Sequence, residues 1–419
     1  MSEPFSHRTF DPKDMFGQSA VDWEERINFA RLREQKLARA KETLKKSGVG
    51  ALLLSRQDTI RYVTGIWQHP AGHSSPKIMR YAVLAGDADP VLFEIAGADF
   101  QCVKKSAPWL KDIRNAKIWA GAGPATPSIT AIFAKEIKQI LKENGVADSK
   151  IGVDFIDIPG YDALSKEGLK IVDGLQIIQQ AMMIKFPDEL EILKQSCAIT
   201  DAAFYTAQQV LRPGIRETEL TGAMANTMFS LGAERIEHIT FGSGGGTNPL
   251  WRHGPTDKII RVGDLVDIDL VVQYMGYNTC VYRDFVCGTK PTKRQKELYK
   301  ECYDSLYNAI NAIKPGASTY DAAKVWEKEG YRDDEYGSLS LLQFGHGVGM
   351  SVHEPPFITL AYSKKYPMVL QKNMYLAVET YAGEPGEDSE CTRLEQDMVI
   401  TDDGVEIFNL FPIYDEIWK

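Results

Sequence analysis

The stretch from Val262 to Gly288 constrains this chain most. In Val262-Gly-Asp-Leu-Val-Asp-Ile-Asp269 apolar and acidic residues alternate. At a strand period of two, Val266, Ile268 and Leu270 face one way and Asp267 and Asp269 the other. The run is otherwise that of a buried strand, and a buried carboxylate is costly unless it is paired or holds a cation. The segment from Tyr277 to Val286 pairs back through a tight turn predicted at Tyr274-Met275. That register sets Asp269 opposite Cys280 and Asp267 opposite Tyr282. It leaves Asp284 roughly 13 Å from Cys280, at about 3.3 Å per residue.

Two units are expected around this hairpin, as befits 419 residues. Residues 1–21 read as an irregular arm. Residues 22–183 read as an α/β domain: a helix to about Lys46 stopped by Ser47-Gly48, a strand at 49–54, the segment 58–65, strands at 80–84 and 90–93, a helix at 129–144 and a strand at 150–154. The character changes near residues 183–189, where Pro187 opens a helix with acids in its first turn. Residues 184–419 read as α+β, with helices from Pro187 to Pro213-Gly214 and over 293–314 packed on a curved, largely antiparallel sheet.

Composition excludes several roles. A net charge of −9 argues against a nucleic-acid backbone as partner. No run of 18 apolar residues predicts a membrane span, and the first 30 residues lack the apolar core of a signal peptide. Six scattered cysteines with no CxxC pair predict a reduced, cytoplasmic protein.

The remaining polar signals lie downstream. Phe344-Gly-His-Gly-Val-Gly-Met-Ser-Val-His-Glu-Pro-Pro356 sets His346 between glycines and His353 in a His-Glu-Pro turn. Glu379 follows the apolar run from Met374, and Glu395 lies in Thr392-Arg-Leu-Glu-Gln-Asp-Met-Val-Ile400. Asp, His and two Glu converging from separate strands are donors that a divalent transition metal accepts. Gly242-Ser-Gly-Gly-Gly-Thr247 lacks the following Lys and helix of a phosphate cradle, so it reads as a loop on the substrate side.

Over residues 185–412 the order of these motifs resembles the M24-type pita-bread superfamily of creatinase, prolidase, aminopeptidase P and methionine aminopeptidase. The matching pieces are His253, Gly263-Asp264…Asp269, Gly276-Tyr277, His346-Gly-Val-Gly, His353-Glu-Pro, Glu379, Glu395 and Thr401-Asp-Asp-Gly404. Residues 22–180 resemble the N-terminal domain of the creatinase and prolidase branch. The resemblance implies metal ligands at Asp269, His346, Glu379 and Glu395. It also implies a bridging Asp at position 280, where this chain has Cys280. Three states stay open: one divalent ion (Mn, Fe, Co or Zn), a metal-free creatinase-like site, or two ions in altered geometry.

Creatinase-like relatives lack the metal aspartates and rely on the histidine matching His253, with glutamates matching Glu379 and Glu395. Dimethylsulfoniopropionate lyases of this fold share Thr247-Asn-Pro249 and the absence of Pro after the ligand Glu, here Thr380. That branch lacks a histidine at 253 and carries an acid near 353, whereas this chain keeps His253 and His353. The expectation is therefore a hydrolase cleaving a C–N bond in a small amino-acid-like substrate, with His253, His353 and Glu379 as catalytic groups. A lyase acting on dimethylsulfoniopropionate or a similar onium propionate is the alternative. A binding module without chemistry is the second, as in histone-chaperone pita-bread domains, which have lost the ligand set. The resemblance also implies a homodimer whose partner domain closes the site. Arg61, Trp67 and His69 would then line the substrate pocket, and Asp267 and Arg393 are further candidates for holding substrate or for structural pairing.

Overall fold

The computed structural model describes residues 27–67, 78–247, 254–328, 344–383, 390–413 and 418. The N-terminal unit comprises α1 (Phe29–Ser47), β1 (Ala51–Leu54), α2 (Gln57–Thr64), β2 (Tyr81–Ala85), β3 (Val91–Glu94), α3 (Ala98–Ser106), β4 (Asp112–Asn115), α4 (Thr126–Glu143), β5 (Lys150–Val153), α5 (Ile158–Lys166), β6 (Lys170–Asp173) and α6 (Leu175–Met182). Its strands form one mixed six-stranded sheet in the order β4-β3-β2-β1-β5-β6. Helices cover both faces. Leu52, Leu54 and Leu84 point to α1, while Leu53, Val83 and Phe93 point to Phe133 and Ile137 of α4. The segment 58–65 is a helix, with Ile60 and Val63 in the core. Gly48 and Gly65 stop α1 and α2 in the left-handed conformation.

Asp154, just past β5, ties β5 to the start of α2. Its carboxylate accepts from the amides of Ser55 (2.8 Å) and Arg56 (3.2 Å) and from the Thr59 hydroxyl. Burial nevertheless pushes its pKa up to about 6. The native state therefore holds a proton that the unfolded chain has released. The stabilisation is complete below the unfolded carboxylate pKa and is lost as pH rises through about 6. Between pH 4 and 7 the stability of Asp154→Asn relative to the parent should rise by about 2 kcal/mol. Urea unfolding at the two pH values measures this, and a difference that does not change with pH would contradict it.

The second unit comprises α7 (Pro187–Val210), α8 (Glu217–Ser230), β7 (Arg235–Ser243), β8 (Leu265–Tyr274), β9 (Tyr277–Asn278), β10 (Val281–Val286), α9 (Lys293–Asn311), α10 (Thr319–Lys328), β11 (Phe344–Gly347), β12 (Glu354–Ile358), α11 (Leu360–Ser363), β13 (Tyr375–Gly383), β14 (Cys391–Ile400) and β15 (Val405–Ile407). Two antiparallel sheets result, β10-β8-β7 with β9 on β8, and β12-β11-β13-β14-β15. α7 starts at Pro187 as its sequence predicts, and the Glu189 carboxylate accepts from the Phe186 amide at 2.8 Å. α9 buries Leu298, Cys302, Leu306 and Ile310 in one core with Leu376, Val378, Leu394 and Met398. Each such side chain contributes about 1.5–3 kcal/mol.

The two units share a core. Leu32 of α1, Ala181 of α6 and Leu193 of α7 belong to one apolar cluster with Tyr277, Cys280, Val348 and Met350. Polar ties reinforce it: Arg31 to Asp188 at 2.7 Å, Arg61 to Glu234 at 2.9 Å, and Ser351 to Asp58.

Candidate active site

The hairpin that opened the sequence reading folds two residues out of the predicted register. Tyr274 pairs with Tyr277, so the turn is Met275-Gly276. Its two residues have φ of 51° and 85°, the left-handed pair of a tight hairpin turn, which glycine accommodates at the second position. Asp269 therefore lies opposite Tyr282, and Asp267 opposite Asp284. The predicted pairings of Asp269 with Cys280 and of Asp267 with Tyr282 are corrected accordingly. Cys280 lies just outside β10 and close to the Asp269 charge.

Three strands of the second sheet complete the cluster. Glu379 of β13 and Glu395 of β14 are directly paired, and His346 of β11 pairs with Ala377, two residues from Glu379 on the same face. Ligand atoms of Cys280, His346 and Glu395 all lie within 4.8 Å of one another, and all three residues are buried. His346 Nε2 is 3.7 Å from Glu395 Oε1. Its Nδ1 donates to the Gly347 carbonyl at 3.0 Å, which turns the Nε2 lone pair toward the cluster. Buried polar contacts hold these ligands in place. The Cys280 amide donates to Asp397 at 3.2 Å. The Asn278 amide group donates to the Gly349 and Met350 carbonyls, and Arg283 donates to the Glu395 carbonyl and to Gln396.

The electrostatics suit a cation. Burial pushes both Glu379 and Glu395 up to about 8, against the pull of the Arg393 guanidinium; the charge of Glu395 adds to the shift of Glu379, and that of Asp269 to the shift of Glu395. Burial and the surrounding carboxylates hold the Cys280 thiol well above its ordinary pKa. Asp269 Oδ1 is buried without a hydrogen-bond partner among the described residues. A thiol, an imidazole lone pair and several carboxylates that are costly to ionise form a donor set that fits a divalent ion.

Sequence reasoning missed His238. Its Nε2 is 3.1 Å from Asp269 Oδ2. Burial opposes protonation, and the hydrogen bond and charge of Asp269 outweigh it, so the pKa is raised. A register shift between Ile236 and His238 brings the ring opposite Val271, beside Asp269. The polar-apolar alternation His238-Ile-Thr-Phe241 was the available signal. The pairing of Asp267, already a candidate, with Asp284 was missed too. Burial raises both, Asp267 to about 7.

The other predicted residues divide. His353 is exposed, with its ring centroid 4.4 Å from that of His346. Burial of its inner side, then the neighbouring His346, His238 and Arg393, lower its pKa, so it is neutral at pH 7. Arg393 is fully buried, pairs with Glu379 and lies 4.4 Å over the Tyr282 ring. Within one chain Arg61 lies apart from the cluster: it pairs with Glu234 and stacks 4.8 Å over Trp67, both lining a cavity against α1. His69 and His253 lie outside the described residues.

The family model for metallopeptidase family M24 matches residues 191–402, a span that contains every residue of the cluster. The chain belongs to metallopeptidase family M24. It is 30% identical over 275 residues to the Xaa-Pro dipeptidase of Pyrococcus furiosus, covering 65% of this chain and 75% of that one. It is 26% identical over 376 residues to the Xaa-Pro dipeptidase of Pyrococcus horikoshii, covering 88% and 95%. Among solved structures, the Xaa-Pro dipeptidase from Bacillus anthracis superposes with a TM-score of 0.71 at 23% identity, covering 91% of this chain and 98% of that one. This M24 protein thus has the C-terminal pita-bread domain and the N-terminal α/β domain expected of it, and is a hydrolase acting on peptide C–N bonds.

Proposed function

We propose that this M24 protein is an Xaa-Pro-type dipeptidase with an altered metal site. In this reading one divalent ion is held by Cys280, His346 and Glu395, flanked by Asp269 and Glu379. The convergence of a sulfur, a nitrogen and a carboxylate oxygen within 4.8 Å carries the reading. Cys280 stands where the family resemblance calls for the bridging Asp, and the loss of that carboxylate favours one ion over a carboxylate-bridged pair. When bound, the ion polarises the peptide carbonyl and lowers the pKa of water.

The chain's own groups do the rest. Arg393 holds one oxygen of Glu379; with a cation bound to oppose the effect of burial, Glu379 would be ionised, and its other oxygen would take a proton from the attacking water and deliver it to the leaving nitrogen. His353, neutral and beside His346, donates an N–H toward the developing oxyanion, a role proposed for His253 as well. Asp267 and the carboxylates around it favour a substrate with a free amino group. A homodimer in a reducing, cytoplasmic setting belongs to the same proposal, and all six cysteines are unpaired.

Metal analysis of the purified protein and of Cys280→Asp tests the reading. The parent should carry a single transition metal, and the variant should bind more metal per chain and change its rate on Xaa-Pro dipeptides. A variant that neither gains metal nor changes activity would refute the role given to Cys280. Full activity after complete metal removal would replace the reading with a metal-free one built on the same glutamates.

A further inference from the structure

A cavity of about 690 Å³ near the contact of the two units lies apart from the reaction centre. α1, the end of α2 and the Met275-Gly276 turn line it, and none of Asp269, Cys280, His346, Glu379 and Glu395 is among its walls. Its polar walls are cationic. Of the four cations there, Arg31 is neutralised by Asp188 at 2.7 Å and Arg61 by both oxygens of Glu234 at 2.9 and 3.0 Å. Lys36 and Arg33 have no carboxylate within ion-pair distance among the described residues.

Lys36 is 4% exposed. Its ammonium reaches the Tyr277 hydroxyl at 3.3 Å and Met350 Sδ at 3.8 Å. The Tyr277 hydroxyl donates onward to Glu189 at 2.9 Å, so its oxygen is left to accept from Lys36. An ammonium has three N–H donors, and burying one without a counter-charge is costly. The Arg33 guanidinium lies 3.8 Å from the centroid of the Trp109 ring, and Trp67 forms a further indole wall.

We propose that this cavity binds a small organic anion, a carboxylate or phosphate ester carried on an aromatic or apolar body. The anionic group meets Lys36 and Arg33, and the body lies against the indole walls. The site shares no residue with the metal cluster and does not depend on the reaction assigned to it.

Titration of the full chain with phenyl phosphate, phenylacetate, inorganic phosphate and benzyl alcohol, read by tryptophan fluorescence, tests the proposal. Saturable quenching by either aromatic anion is expected, and which of the two binds more tightly identifies the anionic group. Inorganic phosphate should bind more weakly, for want of an aromatic body. Arg33→Gln should weaken the aromatic anion at least about tenfold. Lys36→Met should lose binding as well.

A second readout is independent of folding defects in the variants. Burial lowers the Lys36 pKa to about 8, with Glu189 opposing this and Arg61 and Arg33 adding to it. An anion raises that pKa, so binding at pH 8 should take up protons, measurable by calorimetry in buffers of different ionisation enthalpy. The proposal fails if neither aromatic anion binds saturably, or if binding takes up no proton. It also fails if benzyl alcohol competes equally, or if folded Arg33→Gln binds with the parent's affinity.

Discussion

Replacing Glu379 by glutamine is expected to lower kcat on Xaa-Pro dipeptides by about 10²–10⁴-fold, the usual contribution of a positioned general base. Glutamine keeps an oxygen for Arg393, so the buried pair loses its charge but not its hydrogen bond. It cannot take a proton at neutral pH. Cys280, His346 and Glu395 are untouched, so bound metal should be retained. The split between lost turnover and retained metal is what the proton-transfer role requires. A variant that keeps the parent's turnover would remove Glu379 from the chemistry. One that loses metal in parallel with activity would make it a ligand only.

Arg393→Met should cost about 3–5 kcal/mol of stability, the scale of removing one partner from a buried ion pair. The guanidinium is 1% exposed and Glu379 3%. Without Arg393, Glu379 keeps its burial and its repulsion from Glu395 and loses the group that opposes both. The Tyr282 ring loses its cation as well. Adding Glu379→Gln to Arg393→Met should recover part of the loss, because glutamine is buried neutral without having to take up a proton. Chemical unfolding of the four proteins yields the coupling energy. Additive effects would show that the two side chains do not stabilise one another.

Much of this molecule was legible along the chain, for reasons visible in particular residues. Alternation in Val266 to Leu270 assigned Asp267 and Asp269 to one face of a buried strand, because side chains on a strand alternate whatever the partner strand does. Pro187 with Asp188 and Glu189 marked the start of α7, since a helix N-terminus favours proline and acids. Register was not legible. Tyr274-Met275 and Met275-Gly276 both fit the local sequence as turns. The choice of the second rests on left-handed φ values at Met275 and Gly276 and on the packing of the whole hairpin. A shift of two residues keeps every side chain on its face, so the face assignment survived an error that changed every neighbour.

The sequence by itself determined which donors face inward: Asp269, His346, Glu379 and Glu395, with Cys280 where the resemblance calls for an Asp. Strand alternation places Asp269, and the other donors rest on the family resemblance. Only the tertiary structure decided what those donors meet. It set Asp267 against Asp284, brought His238 to Asp269 beside a register shift, and joined Arg393 to Glu379 across β13 and β14. It also left Lys36, 241 positions from Tyr277, buried beside a cavity with no carboxylate in ion-pair distance among the described residues. These relations depend on turn conformation, register irregularity and long-range packing. They arise only when distant segments bury their apolar faces together, and a chain read residue by residue does not carry them.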